Sequence, residues 1–360
     1  MKKRKFRILP RVLAIGAIVG IVSAVPLDTL TNVAARAAVL AVGMSRPDAS
    51  VRLLENSFSK EPMSADPPIA EQTQVELGPV ELTPVPLPYM KDVPIKKDGG
   101  GTVLTEQLSV GTSFVHNVAF KNNSGTAVDM NAAVTRQLSI PFKANSENVQ
   151  VLITHTHTTE CYLGYDAGFY NPDDATRTAD ASRNMIAVGK RVAEKLKEAG
   201  IGVIHDTEIH DQPYTGAYSH SRKRVEQYLK EYPSICVVLD IHRDAIYPTA
   251  TTRVKPTAVI DGKKAAQLMI VIGMQNTKSS PNPHTGDNLA FGARLQQTMH
   301  TQYSGLMRPM SLANARYNQQ LCKAMVLVEV GSDVNTLEEA CYSAELLGNG
   351  LIKTLKELST

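Results

Sequence analysis

Three apolar segments of this chain each end in side chains of the types that bind metal ions. The side chains and the segments before them are His155, His157 and Glu160 after residues 149–153, His242 after residues 235–241, and Glu329 after residues 325–328. Imidazole and carboxylate groups are the usual ligands of a catalytic zinc ion, which keeps one position open for water. A further carboxylate can accept the proton that this water loses. The residue types therefore predict a hydrolase with Zn2+ as its cofactor.

His155 and His157 form the strongest part of this pattern. Residues two apart in an extended chain project to the same side, so either imidazole can be the ligand, and the sequence does not choose between them. Their short spacing is not that of a zinc finger, and no HExxH motif is present. Glu329 interrupts the apolar sequence VLVEV, where a carboxylate is costly unless it is paired or functional. The alternative for Glu329 is a salt bridge at the end of a strand.

Arg243 and Asp244 follow His242 directly, and we interpret them as partners that orient its ring. Arg243 is also predicted to act in catalysis, where it would stabilise a developing oxyanion or bind a substrate carboxylate. Tyr214 and Tyr218 are candidates for substrate contacts. The remaining histidines are scattered along the chain and are interpreted as structural: His116, His205, His210, His220, His284 and His300.

Strands and helices alternate along residues 148–360, which predicts an α/β fold with a mostly parallel central sheet flanked by helices. The carboxyl ends of parallel strands lie at one edge of such a sheet, so the candidate ligands should meet there. The expected strands are 149–153, 201–204, 235–241, 268–272 and 325–330, and the expected helices are 182–199, 218–231, 288–300 and 336–358.

The N-terminal part of the chain has a different composition. Basic residues at positions 2–7 precede an apolar run at 12–27, which is typical of an export signal, and a retained anchor is favoured over a cleaved one. A proline-rich stretch follows. The net charge of +3 and the absence of Trp do not indicate a nucleic-acid partner. The four cysteines contain no CxxC pair and are interpreted as core residues or spare thiols and not as a disulfide framework.

These features predict a succession of four regions. They are a basic cytoplasmic flank and membrane anchor at 1–44, a proline-rich extracytoplasmic spacer at 45–100, a small β-rich accessory region at 101–147, and a zinc-binding catalytic domain at 148–360.

Several motifs in this order resemble the stage II sporulation protein P family. They are THTHTTE at 154–160, RTAD at 177–180, DIHRDA at 240–245, VEVG at 328–331 and NTLEEA at 335–340. That family is similar to zinc-dependent N-acetylmuramoyl-L-alanine amidases, so the resemblance implies an amidase-like fold, Zn2+ and a peptidoglycan substrate. It also implies amidase and endopeptidase activity during engulfment. The location it implies is the cell membrane or the engulfing forespore membrane, with the catalytic domain outside the cytoplasm. The partners it implies are sporulation proteins D and M.

The resemblance also implies roles for individual residues. The first ligand is His155 or His157, the later histidine is His242, and the catalytic glutamate is Glu329. The amidases have a Glu before the first helix, where this chain has Asp180, so the remaining ligand is Glu160 or Asp180. We favour Glu160, because Asp180 can instead cap the helix. The competing functions are a zinc peptidase or deacetylase on the same wall, and an inactive wall-binding or scaffold module.

Overall fold

The computed structural model describes residues 92–108 and 113–359. The predicted anchor at 1–44 and residues 45–91 of the predicted spacer lie outside this part of the chain. Among the described residues, no helix combines the length and the apolar character needed to cross a bilayer. All four cysteines are buried free thiols, as predicted: Cys161, Cys236, Cys322 and Cys341.

Strands and helices follow one another along most of the described chain. The strands are β1 (Gly101–Glu106), β2 (Ser113–Val115), β3 (Val118–Asn122), β4 (Val149–Thr154), β5 (Phe169–Tyr170), β6 (Gly202–His205), β7 (Val237–Asp244), β8 (Thr252–Ile260), β9 (Lys263–Ala266), β10 (Leu268–Gly273), β11 (Met310–Ala313) and β12 (Met325–Ser332). The α-helices are α1 (Met130–Thr135), α2 (Met185–Glu198), α3 (Ala217–Glu231), α4 (Thr285–Gln302) and α5 (Leu337–Leu358).

The larger sheet has the strand order β2-β3-β11-β10-β12-β7-β4-β6. Its centre is parallel, because β7 pairs in parallel with both β12 and β4, and β4 pairs in parallel with β6. Strand β10 runs antiparallel to β12. The structure therefore confirms a mostly parallel α/β sheet, and it places the ends of β4, β7 and β12 side by side.

Alternate residues of the central strands pack into different layers. Val151 and Ile153 of β4 belong to the core that includes the buried faces of α2, α4 and α5. Leu152 instead packs with Val225 and Tyr228 of α3. Because successive side chains of a strand point to opposite faces, the sheet is covered by helices on both faces. Both β7 and β12 are buried along their whole length for this reason.

The strands of the predicted accessory region share sheets with the predicted catalytic domain. Strands β2 and β3 extend the edge of the larger sheet next to β11. Strand β1 pairs in parallel with β8 in a smaller sheet of order β5-β1-β8-β9. Strands β8, β9 and β11 were not among the expected elements. The described part of residues 101–147 thus contributes strands to both sheets and does not form a separate sheet.

Helix α2 begins later than expected. The expected start was residue 182, whereas the helix begins at Met185 after the N-cap Asn184, whose side chain accepts a hydrogen bond from the Ile186 N–H. An Asn at this position satisfies a backbone donor that the helix itself leaves unpaired.

A buried cation joins three segments of the fold. Lys255 of β8 is only 1% exposed, and its Nζ lies 2.6 Å from Asp166 Oδ1 and 2.8 Å from Glu339 Oε1. Glu339 also completes the capping box of α5 with Thr336. The ammonium therefore connects β8, the segment that contains Asp166 and the first turn of α5.

Candidate active site

The loop after β4 is fixed by two buried aspartates. Thr156 donates to Asp240 of β7 through its backbone N–H at 2.8 Å and its hydroxyl at 2.7 Å. Thr159 donates in the same way to Asp211, at 3.1 Å and 2.6 Å. These four hydrogen bonds fix the turn between the end of β4 and Glu160, and they hold it against β7 and against the segment that follows β6.

Three candidate ligands meet at this place. His242 Nδ1 lies 3.5 Å from Glu160 Oε2. The rings of His157 and His242 are nearly perpendicular, at 89°, with their centroids 5.4 Å apart. Nδ1 of His157 is buried and has no hydrogen-bond partner, and its nearest recorded carboxylate oxygen, Asp211 Oδ2, is 4.0 Å away. A buried ring nitrogen without a partner is costly unless a ligand completes it.

The charges of these groups follow from their surroundings. Burial lowers the pKa of His157 to about 4, so its ring is neutral at pH 7 and offers a lone pair. Burial alone would raise the pKa of Glu160, but the charges of Arg243 and His242 outweigh it and hold that pKa well below its usual range. Burial likewise acts to lower the pKa of His242, but Asp240 and Glu160 raise it well above normal. The cluster thus concentrates negative charge around His242.

Asp240 lies on the other side of the His242 ring. Its Oδ1 is 2.9 Å from His242 Nε2, although the N–H direction is not aligned well enough for a hydrogen bond. Partners of this kind fix the orientation of an imidazole whose other nitrogen binds a metal ion. Asp240 was not predicted as a site residue.

The residue types of this cluster are those that bind zinc, although their nitrogen and oxygen atoms do not surround a common point. Within residues 92–108 and 113–359, no group of three or more His, Cys, Asp or Glu side chains has the close arrangement of a formed metal site. His157, Glu160 and His242 are nevertheless two imidazoles and one carboxylate, a ligand set that catalytic zinc sites use, with an unsatisfied Nδ1 on the neutral His157 and an ionised Glu160. Because the pKa of His242 is raised, its ring would release a proton on binding the ion.

Glu329 stands next to this cluster on the neighbouring strand. It is paired in register with His242, and its Oε2 is buried without a hydrogen-bond partner. Burial and the nearby Asp244 raise its pKa to about 8. A carboxyl group with a pKa near neutrality is suited to accepting and returning a proton.

A β-bulge follows Glu329 directly. The register goes from Glu329 opposite His242 to Ser332 opposite Asp244, so β12 takes three steps where β7 takes two. Gly331 adopts a φ of +64°, and a Cβ at this position would lie 2.5 Å from Asn335 Oδ1. Only glycine fits both the backbone conformation and the space, and bulges of this kind are common next to active sites.

Comparison with known proteins identifies the family. The family model for stage II sporulation protein P matches residues 102–352. The chain belongs to this family. A curated relative, stage II sporulation protein P of Bacillus subtilis (strain 168), is 30% identical over 211 residues, which cover 55% of this chain and 49% of that protein. The chain therefore matches about half the length of that relative.

Solved amidase structures are similar to this stage II sporulation protein P family member at a lower level. The N-acetylmuramoyl-L-alanine amidase AmiC2 of Nostoc punctiforme aligns with a TM-score of 0.36 at 11% identity, covering 57% of this chain and 97% of that chain. The CwlD amidase from Clostridioides difficile, solved in complex with the GerS lipoprotein, aligns with a TM-score of 0.35 at 13% identity, covering 58% and 98%.

His155 of this family member points away from the cluster. Its Nδ1 donates to the Ile241 carbonyl oxygen at 2.9 Å, and its Nε2 lies 2.9 Å from Nε2 of His205. Both nitrogens are therefore occupied. The argument that His155 and His157 project to the same side fails here, because β4 ends at Thr154 and the following residues form a turn.

Asp180 is exposed and is not brought to the cluster. Its carboxylate accepts hydrogen bonds from the N–H and hydroxyl of Ser182, at 3.0 Å and 2.7 Å. It stabilises a local turn, and the expected cap of α2 is supplied by Asn184 instead. Of the two carboxylates left open by the sequence, Glu160 is the one that lies beside His157 and His242.

Arg243 lies behind Glu160 instead of facing a substrate. Its guanidinium donates to the carbonyl oxygens of Cys161 at 3.2 Å and Thr176 at 2.8 Å, and its backbone N–H donates to Glu160 Oε2 at 3.3 Å. With its donors engaged, it is placed to orient Glu160, and this arrangement gives no support to the predicted contact with an oxyanion. Asp244 does not hold His242 either, because it pairs with Arg308.

Arg177 also lies in the candidate site. It belongs to the RTAD motif at 177–180, but it was not among the predicted site residues. It donates to Glu160 Oε1 at 3.4 Å and to Asp211 Oδ2 at 2.5 Å, and it lies 4.6 Å above the centre of the Tyr214 ring. Tyr214 in turn stacks on His157 at 4.9 Å. The predicted substrate contacts Tyr214 and Tyr218 thus both lie against His157.

Proposed function

We propose that this protein is a zinc-dependent hydrolase that cleaves the amide bond between N-acetylmuramic acid and L-alanine in peptidoglycan. The observation that carries the proposal is the meeting of His157, Glu160 and His242 at the end of β7, with Glu329 in register beside them. The family membership supports the choice of substrate.

His157, Glu160 and His242 would hold the ion. When bound, zinc lowers the pKa of a coordinated water and polarises a carbonyl group. Asp240 lies against the Nε2 of His242, and Arg243 and Arg177 donate to Glu160 from two directions. Glu329 takes a proton from the attacking water and then delivers it to the nitrogen of the departing amine. Its buried position strengthens this role, because little water competes for the proton.

The wider setting follows from the family resemblance. We propose that residues 1–44 anchor the protein in the cell membrane or the engulfing forespore membrane, and that the catalytic region acts outside the cytoplasm. Sporulation proteins D and M are the proposed partners, and cleavage within stem peptides is a proposed additional activity. These assignments depend on the function of the catalytic region.

Replacement of Glu329 by glutamine tests the catalytic proposal. The rate of stem-peptide release from purified peptidoglycan should fall by about 10²- to 10⁴-fold, because the proton acceptor is lost, while the zinc content stays the same. Glu338→Gln is the matched control, since Glu338 is exposed in the first turn of α5, and it should be fully active.

The products distinguish the competing functions. Mass spectrometry should detect intact free stem peptides. Split stems alone would identify a peptidase, and released acetate would identify a deacetylase. An unchanged rate in Glu329→Gln would exclude Glu329 as the proton acceptor, and the absence of any product from the unmodified protein would support a scaffold.

A further inference from the structure

Arg308 has no role in the mechanism described so far, yet its backbone is firmly held. Its N–H donates to the Leu268 carbonyl oxygen of β10 at 2.7 Å, and its own carbonyl oxygen accepts from Gln296 Nε2 of α4 at 3.0 Å. The backbone of Arg308 is therefore held beside β10, which is two strands away from β7 in the sheet.

The side chain of Arg308 reaches across β12. Its Nη2 lies 2.8 Å from Asp244 Oδ2 of β7, and β12 is the strand between β10 and β7. Asp244 lies two residues after His242 on β7, so both side chains project from the same face. Glu329 is paired with His242 on β12. The guanidinium thus ends on the face of the sheet that carries the proposed catalytic groups.

Two ionisable side chains on this face each have one atom without a hydrogen-bond partner. Arg308 Nη1 and Glu329 Oε2 are both buried without a hydrogen bond, and Arg308 is only 9% exposed. Asp244 is the only carboxylate recorded within 4.0 Å of the Arg308 guanidinium in the described chain, so Glu329 and Arg308 do not form an ion pair. A buried guanidinium nitrogen without an acceptor is costly. A ligand oxygen would satisfy it.

Arg243 and Arg308 differ in the partners of their guanidinium nitrogens. The Arg243 guanidinium is engaged by backbone carbonyl oxygens behind Glu160. Arg308 uses Nη2 for Asp244 and leaves Nη1 unused. Because Nη2 is bonded to Asp244, the motion of the Arg308 guanidinium is restrained before a substrate arrives. Preorganised donors of this kind stabilise charge that develops during a reaction.

We propose that Arg308 is a catalytic residue whose Nη1 binds the carbonyl oxygen of the scissile amide. The inference rests on the proposed amide hydrolysis. The water oxygen forms a bond to the carbonyl carbon while its proton passes to Glu329. The carbonyl π electrons move to the oxygen, and Arg308 stabilises the resulting negative charge. The C–N bond then breaks as the carbonyl reforms, and the amine nitrogen takes the proton from Glu329.

Kinetics of Arg308→Ala on a soluble muropeptide test this assignment. The value of kcat should fall by about 10²- to 10³-fold, as for the loss of one oxyanion donor, with KM and the zinc content unchanged. Millimolar guanidinium chloride should restore part of kcat in Arg308→Ala and none in Glu329→Gln. An unchanged kcat, or a rise in KM alone, would overturn the proposal, since the latter indicates ground-state binding of a carboxylate.

A second variant separates this role from folding. Arg308→Lys keeps a positive charge, but one ammonium cannot hold Asp244 and present a second fixed donor. It should bind zinc, fold with a normal Tm and still lose at least about 10-fold in kcat. The matched control is Arg253→Lys, because Arg253 makes a similar ion pair with Asp333 at 2.9 Å and should keep full activity. A fully active Arg308→Lys would overturn the assignment.

The two proposals can fail independently. If the unmodified protein releases no stem peptides, the proposed function fails. If it releases them and Arg308→Ala or Arg308→Lys releases them equally fast, only the role of Arg308 fails.

Discussion

The two histidines that follow β4 occupy opposite environments although one residue separates them. His155 has both ring nitrogens engaged, by the Ile241 carbonyl oxygen and by His205. His157 has a buried Nδ1 without a hydrogen-bond partner and lies against His242 and Tyr214. Burial lowers the pKa of each ring to about 4. Both rings are buried and neutral at pH 7. They differ in whether their ring nitrogens have partners.

This difference indicates how a structural histidine can be told from a functional one. A buried polar group whose hydrogen bonds are complete contributes to folding and has nothing left to offer a ligand. A buried group with an unused nitrogen destabilises the fold until something binds it. The following predictions, in order of decreasing effect, test that distinction.

Replacement of His157 by alanine should have the largest effect on metal binding. Zinc affinity should fall by more than about 100-fold, because the loss of a mere supporting partner already costs 10- to 100-fold. Competition with a chromogenic chelator measures the affinity. The control is His116→Ala, since His116 is exposed. A variant that binds zinc as tightly as the unmodified protein would remove His157 from the ligand set.

Replacement of His155 by alanine should instead lower stability. The free energy of unfolding should fall by about 2 kcal/mol, because a buried carbonyl oxygen and His205 lose their partner. Denaturant titration in the presence of chelator measures this change, and zinc titration of the folded variant should give unchanged affinity. A selective loss of zinc binding with normal stability would reverse the roles of His155 and His157.

Replacement of Arg177 by methionine should have a smaller effect on the same site. Arg177 donates to Glu160 Oε1 and to Asp211, so its loss frees Glu160 to rotate. Zinc affinity should fall by about 10-fold, at the low end of the range for supporting partners. The control is Arg222→Met, because Arg222 pairs with Glu226 on the exposed surface of α3. Equal affinities in the two variants would mean that Arg243 alone holds Glu160.

The smallest effect concerns a third histidine, which is paired with a carboxylate. Burial acts to lower the pKa of His210, but its hydrogen bond to Asp206 at 2.8 Å outweighs this and raises the pKa above normal. The pair therefore adds stability that is complete below about pH 6.5 and is lost as the pH rises through the raised pKa. In His210→Gln the free energy of unfolding should lack this decline. A parallel decline in both proteins would contradict the assignment.

The sequence predicted the central strands well because their signals are local. The apolar runs at 149–153, 235–241 and 325–330 became β4, β7 and β12, and each boundary is within two or three residues. The smaller sheet was missed because β8 and β9 mix charged and apolar residues, as in RVKPTAVI and KKAA. The pairing of β8 with β1 depends on contacts between residues about 150 positions apart, which no local pattern records.

The sequence indicated the residue types of the candidate site better than it indicated the direction of each side chain. Glu160 lies beside His242, and Glu329 is paired with His242 in register, while their roles in metal binding and catalysis stay predictions. His155 and Arg243 do not face the cluster, because the direction of each side chain is set by a turn or by carbonyl oxygens of distant segments. Arg308 left no signal, since its connection to the site is an ion pair with Asp244, 64 positions away.

The ammonium of Lys255 has a consequence for how the molecule opens. A buried Lys255 ammonium is costly without Asp166 and Glu339. Separating any one of the three segments from the others would therefore leave a buried charge without its partner. The start of α5, the middle of β8 and the backbone around Asp166 should then exchange their amide hydrogens for deuterium together, as one cooperative unit. In Lys255→Met this common rate should split into separate ones.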